Sequence, residues 1–282
     1  MRLAALLTIM ALGGAAMSAC GEDAPAAVPT SAPTATGLFD PPIGGSGAYV
    51  ALGDSLSAGV GASSPQNTFV ALVKRHLGTD VELINLGHSG DTSDDLLQTG
   101  KLDEAVETIT TRAGDSDDSN DVRLITLEIG GNDLLGIYFS QVQTGACPDV
   151  ETALTQPTCT QTLRDALDGF RPNFDTALDR LREAAPDVPI VVMTLYNPFD
   201  FLGAIGELGV LSLDGRAGSE FPEGMNDIIR SVAGEHQDVL VANVYAAFKG
   251  RTASLLFSDF IHPNDAGYQV MADAFIAEID RP

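Results

Sequence analysis

Five short stretches of the chain are apolar almost without interruption: residues 48–53, 81–86, 122–129, 188–195 and 238–244. Near-continuous Val, Ile and Leu over this length predicts strands covered on both faces, as in a parallel sheet. The segments between them carry a helical period instead. Residues 66–77 place Phe69, Leu72, Val73 and Leu77 on one side, with Gly78 as a stop. Residues 160–184 align Leu163, Leu167, Phe170, Phe174, Leu178 and Leu181. Pro172 interrupts that stripe and, lacking an N–H and crowding the preceding turn, is expected to kink or divide the helix. A last helix over 265–279 offers Tyr268, Met271, Ala272, Phe275 and Ile276 to a core. Strand and helix alternate throughout, so the pattern predicts a three-layer α/β/α domain around a five-stranded parallel sheet.

The pattern changes at the N-terminus. Met1-Arg2 is followed by apolar and small residues to position 16, then by Met17-Ser18-Ala19-Cys20. The apolar stretch is too short for a membrane span and reads as a secretory signal over 1–20. The cysteine at its end resembles that of a bacterial lipobox, although Met17 is atypical there. Lipidation of Cys20 is expected, with ordinary signal cleavage as the alternative. Residues 21–47 are rich in Ala, Pro, Thr, Ser and Gly, without Lys or Arg. They are too poor in apolar groups to build a core and read as a disordered tether. The folded domain is expected over 48–282, in an exported protein on the extracytoplasmic side.

Charge narrows the partners. The formal net charge is −24, a field that repels phosphate backbones and anionic bilayers and excludes nucleic-acid binding as the expected role. Membrane contact is expected only through the N-terminal lipid, and a monomer is the expected state. The acidic run 115–121 lacks the Gly and terminal Glu of an EF-hand loop and reads as a solvated loop rather than a calcium site. Cys147 and Cys159, twelve apart in an exported chain, favour a disulfide whose loop closure contributes about 3 kcal/mol.

Four fragments carry the candidate chemistry. Gly53-Asp54-Ser55-Leu56 follows the first strand, and Asn85 through Thr92 the second. Gly130-Gly131-Asn132-Asp133 follows the third, and Asp259-Phe260-Ile261-His262-Pro263 precedes the last helix. In open α/β sheets ligands bind outside the carboxyl ends of the strands, the edge these fragments share. Taken singly, each fragment is equally readable as an ordinary turn. Together they supply a hydroxyl nucleophile (Ser55), a base (His262) and a carboxylate three residues before it (Asp259). Asn132 offers a side-chain amide, and Gly90 and Ser55 offer backbone N–H groups, to a developing oxyanion. Of the other histidines, His88 is the alternative base, whereas His76 and His236 are expected to be solvated.

The set Gly53-Asp54-Ser55-Leu56, Gly90, Asn132 and Asp259-x-x-His262, in that order, resembles the SGNH hydrolase superfamily of GDSL esterases and lipases. The resemblance implies a flavodoxin-like fold, a Ser55-His262-Asp259 triad and an oxyanion hole from Ser55, Gly90 and Asn132. It implies no metal and no cofactor. The implied activity is hydrolysis of a small-molecule or lipid ester through an acyl-enzyme. Lysophospholipase, thioesterase or carbohydrate deacetylase activity would use the same residues. So would an acyltransferase, which added glycerol would reveal through its products. A binding protein with an inactive site would retain the fold and turn over nothing. Residues 134–139 and 199–213, both apolar, either wall an acyl-chain groove or form short helices packed on the core.

Overall fold

The five apolar runs form one sheet in the computed structural model, which describes residues 46–281. The expectations for residues 1–20, Cys20 included, and for 21–45 lie outside the described residues. The strands are β1 (Gly47–Gly53), β2 (Val81–Asn85), β3 (Val122–Glu128), β4 (Ile190–Met193) and β5 (Val239–Ala242). They pair in the order β2-β1-β3-β4-β5, every pair parallel. This is the flavodoxin-like winding, with its reversal between β1 and β3. β1 is buried at every position, as its unbroken apolar sequence requires.

Short helices follow the first three strands: α1 (Ser55–Ala58), α2 (Phe69–Leu77), α3 (Ser93–Gln98), α4 (Lys101–Gly114) and α5 (Gly131–Ile137). Next come α6 (Val150–Thr155), α7 (Pro157–Ala184), α8 (Ala204–Asp214) and α9 (Met225–Glu235). The chain closes with α10 (Val244–Phe248), α11 (Thr252–Leu255) and α12 (Asp265–Ile279). Helices α2 and α12 cover one face, where the Phe69 and Phe275 rings stack at 5.0 Å. Helices α4, α7 and α9 cover the other, which completes the three layers.

Pro172 does not divide its helix: α7 runs unbroken through it. Pro172 and Asp168, whose carbonyl loses its N–H partner, are both on the exposed side, where water can satisfy the orphaned oxygen. Phe170 and Phe174 stay buried on either side and stack at 5.2 Å. The Cys147–Cys159 disulfide is formed, with the Cα atoms 5.8 Å apart, and ties the segment after α5 to the first turn of α7.

Candidate active site

The first turn of the site is fixed by how tightly β1 approaches β3. Gly53 adopts φ = 147°, and a Cβ there would overlap the Glu128 carbonyl oxygen. The chain then turns into α1, capped by Asp54, whose carboxylate accepts from the Leu56 N–H at 3.0 Å. Ser55 is the first residue of α1, so its N–H has no intrahelical acceptor.

The loop between α11 and α12 brings His262 over this turn. Asp259 Oδ1 accepts from the Ile261 and His262 N–H groups, each at 3.0 Å. Its Oδ2 lies 2.7 Å from His262 Nδ1, and His262 Nε2 lies 2.9 Å from Ser55 Oγ. With the Nδ1 proton directed at Asp259, Nε2 is left to accept from the Ser55 hydroxyl. Burial works to raise the Asp259 pKa, but the two backbone N–H groups and the His262 ring outweigh it and hold it below the ordinary value. The group therefore remains a carboxylate beside the imidazole.

Asn132 reaches the same place from β3. Gly130, at φ = 112°, packs so closely on the Phe170 ring that a Cβ would sit 2.7 Å from it. The Asn132 amide donates to Asp54 Oδ2 at 3.1 Å and to the Asp91 carbonyl at 2.9 Å. Gly90, at φ = 95°, immediately precedes Asp91. His88 turns away: its side chain is 57% exposed and pairs with Asp91. His76 pairs with Asp280 on the surface, a third exposed. His236 is not solvated as expected; only 9% of its side chain is exposed, because Asp175 and Asp179 on α7 flank both ring nitrogens.

Two buried carboxyls behind the serine carry no role in the sequence reading. Burial pushes Asp54 up to about 6, against the Leu56 N–H that favours its ionised form. Glu128, pushed well above its usual range by burial and by the Asp54 charge, has Oε2 3.4 Å from the Asp54 N–H and from Ser57 Oγ. Its Oε1 is buried with no partner. The signal was a lone acid at the end of the apolar run Leu124-Ile125-Thr126-Leu127-Glu128.

A cavity of about 130 Å³ opens from Ser55, Asn132 and His262. Its walls are apolar: Leu134, Leu135 and Ile137 of α5, Leu163 of α7, Ile205 and Leu208 of α8, and the half-cystines 147 and 159. The two apolar stretches form short helices, as one of the alternatives had it, and they also line this cavity. Tyr138 and Phe199, both in its wall, stack at 4.2 Å. Among its polar wall residues, Tyr196 donates to the Ile261 carbonyl and Asn197 to the Gly206 carbonyl. Along α7, eleven residues separate Phe170, beside Gly130, from Cys159, a distance of about 16 Å.

Among the described residues, the carboxylate and imidazole group able to converge on a cation is Asp175, Asp179 and His236, away from this cavity. The acidic run spends its carboxylates on its own turns: Asp115 accepts from the Asp117 N–H, and Asp117 from the Ser119 N–H. A serine hydroxyl, an oriented imidazole and amide donors beside an apolar cavity suit acyl transfer.

Comparison with known proteins agrees. A spore germination lipase, LipC, of Bacillus licheniformis is 28% identical over 236 residues, which span 80% of this chain and 92% of that one. The fold is shared with a lipase, Lip_vut3, from a goat rumen metagenome, at TM-score 0.59 and 23% identity over 83% of this chain and 98% of that one. It is also shared with phospholipase A1 of Streptomyces albidoflavus NA297, at TM-score 0.55 and 22% identity over 83% and 100%. The GDSL-like lipase/acylhydrolase model matches residues 51–270, from β1 into α12, and this chain therefore belongs to that family of ester-hydrolysing enzymes within the SGNH superfamily.

Proposed function

We propose that the protein is an exported serine esterase of lipid-like acyl esters, with Ser55, His262 and Asp259 as its triad. The observation that carries this is the Ser55–His262–Asp259 relay, at 2.9 and 2.7 Å, opening onto an apolar cavity. Ser55 Oγ attacks the ester carbonyl while its proton passes to His262 Nε2, and Asp259 stabilises the imidazolium. The tetrahedral oxyanion is met by the Ser55 and Gly90 N–H groups and by Asn132. Since both Asn132 amide hydrogens are engaged, one of them leaves Asp54 or the Asp91 carbonyl to serve the oxyanion. His262 then protonates the leaving alcohol, and water repeats the sequence on the acyl-enzyme.

The cavity favours the acyl chain over a sugar as the recognised group. Its walls are predominantly apolar, and Tyr196, Asn197 and Ser212 donate to backbone carbonyls rather than into the cavity. The test is hydrolysis of p-nitrophenyl esters from acetate to palmitate, with Ser55→Ala as the silent control. Medium to long chains should be preferred; an acetate optimum would move the reading to deacetylation. An acyl anchor on Cys20 would hold the enzyme on the outer side of a membrane.

A further inference from the structure

The large hydrophobic side chains left in water are not scattered. Among the described residues they are Phe139, Phe201, Leu202, Val210, Phe257 and Phe260. Each borders the cavity along the chain. Phe139 follows Tyr138, Phe201 and Leu202 follow Phe199, Val210 follows Gly209, and Phe260 precedes Ile261. Phe257 gives its N–H to the His262 carbonyl at 2.7 Å. Exposed apolar groups that all neighbour the lining of one cavity point to a contact surface, whereas singly scattered ones do not.

Phe260 shows that the exposure is imposed. It is 60% exposed and held at φ = 61°, a left-handed conformation unfavourable for a bulky residue. The surrounding turn is fixed by Asp259, which accepts from the N–H groups of Ile261 and His262, the two residues after Phe260. The carboxylate that orients His262 thus also fixes the turn that presents this ring to solvent.

Charge selects the partner. Segments 134–142, 199–213 and 256–262 contain no Lys or Arg, and the chain carries −24 overall. Such a surface gains nothing from anionic headgroups and is suited to zwitterionic or uncharged ones. The chain between Cys20 and Gly47, fully extended, spans roughly 90 Å at most, so an anchor at Cys20 would keep the rim within reach of the bilayer.

We propose that these side chains form an interfacial docking rim that seats the cavity mouth on a zwitterionic lipid surface, so that esters pass from the lipid into the acyl site. This rests on the esterase reading, and the experiment separates the two. Full-length protein carrying Cys20→Ser, which removes the anchor, and Ser55→Ala is sedimented with phosphatidylcholine vesicles. A second protein adds Phe139→Ser, Phe201→Ser and Leu202→Ser. In parallel, the same pair with Ser55 restored is assayed on soluble p-nitrophenyl butyrate and on a long-chain ester within the vesicles. Melting curves verify that the proteins are folded.

The rim predicts at least about tenfold weaker vesicle partition for the triple variant, from the apolar area removed. It also predicts a similar loss on the vesicle ester, with butyrate turnover within about twofold. Equal partition of the two proteins would overturn it. So would binding confined to phosphatidylglycerol vesicles, or a self-association that the triple variant abolishes without any vesicle binding. Vesicle binding without turnover of either ester would leave the rim standing and remove the esterase.

Discussion

Asn132 donates its side-chain amide to the Asp54 carboxylate at 3.1 Å, so the donor assigned to the oxyanion is already engaged before substrate arrives. The contact holds Asn132 in register with the serine turn. It also gives the developing oxyanion a carboxylate to compete against. Asn132→Ala should lower kcat by about 10²- to 10³-fold with little change in KM, the cost of one oxyanion donor. Steady-state kinetics on a single p-nitrophenyl ester measure this; a pure KM effect would place Asn132 in ground-state binding instead.

Asp259 fixes which nitrogen of His262 faces Ser55. Asp259→Asn keeps the shape but offers an amide that can hold the wrong tautomer, and should cost kcat about 10⁴-fold. Because hydrogen bonds keep Asp259 ionised below the ordinary carboxylate range, the native rate should not fall through its titration at mildly acidic pH. A pH-rate profile of kcat tests both statements.

The buried acids behind the serine give a stability signature. Folded Asp54 titrates near 6 against an ordinary 3.8, and Glu128 is also raised. Between those values the folded chain binds more protons than the unfolded one, so stability is lost as pH rises through the window. Glu128→Gln keeps the acceptor toward Asp54 and Ser57 and removes one ionisation. Its melting temperature should exceed the native value by a margin that widens from pH 5 to pH 9. A constant margin would show that Glu128 titrates normally.

Cys147 and Cys159 bound the cavity as well as the loop. The double Cys→Ser variant should lose roughly 3 kcal/mol of stability through the opened loop. More tellingly, its kcat/KM should fall for long acyl chains and hold for acetate. An equal fall across all chain lengths would confine the bridge to stability.

Export and anchoring are tested by expressing the full chain in a bacterium fed an alkyne-bearing fatty acid. Label should enter the native chain and be absent from Cys20→Ser. Label in neither, with processed protein in the medium, would favour simple cleavage.

The fold was legible because its burial is extreme. β1 is covered on both faces and reads as Ala48-Tyr49-Val50-Ala51-Leu52, while the helix expected at 265–279 spans those residues, its first turn capped by Asn264. Pro172 did not divide α7 because it lies on the side that faces water, a fact of packing rather than of composition. His236 is likewise a matter of packing: its partners lie 57 and 61 residues earlier, on another helix. The Asp259–His262 pairing was readable from local order, the two residues lying within one turn of each other. The Asp54–Glu128 pair was not, since it arises from the β1–β3 register that sets Gly53 opposite Glu128 across 75 residues.

Helix α7 carries the disulfide at Cys159 in its first turn, walls the cavity through Leu163 and packs on the Gly130 turn through Phe170. It therefore acts as a ruler graduated in helical turns of about 5.4 Å. A bulky residue at position 163 would close the cavity a few methylenes short, and a small one would open it, while the serine turn stays untouched. The depth of the cavity can therefore change at one helical position, Leu163, independently of the serine turn.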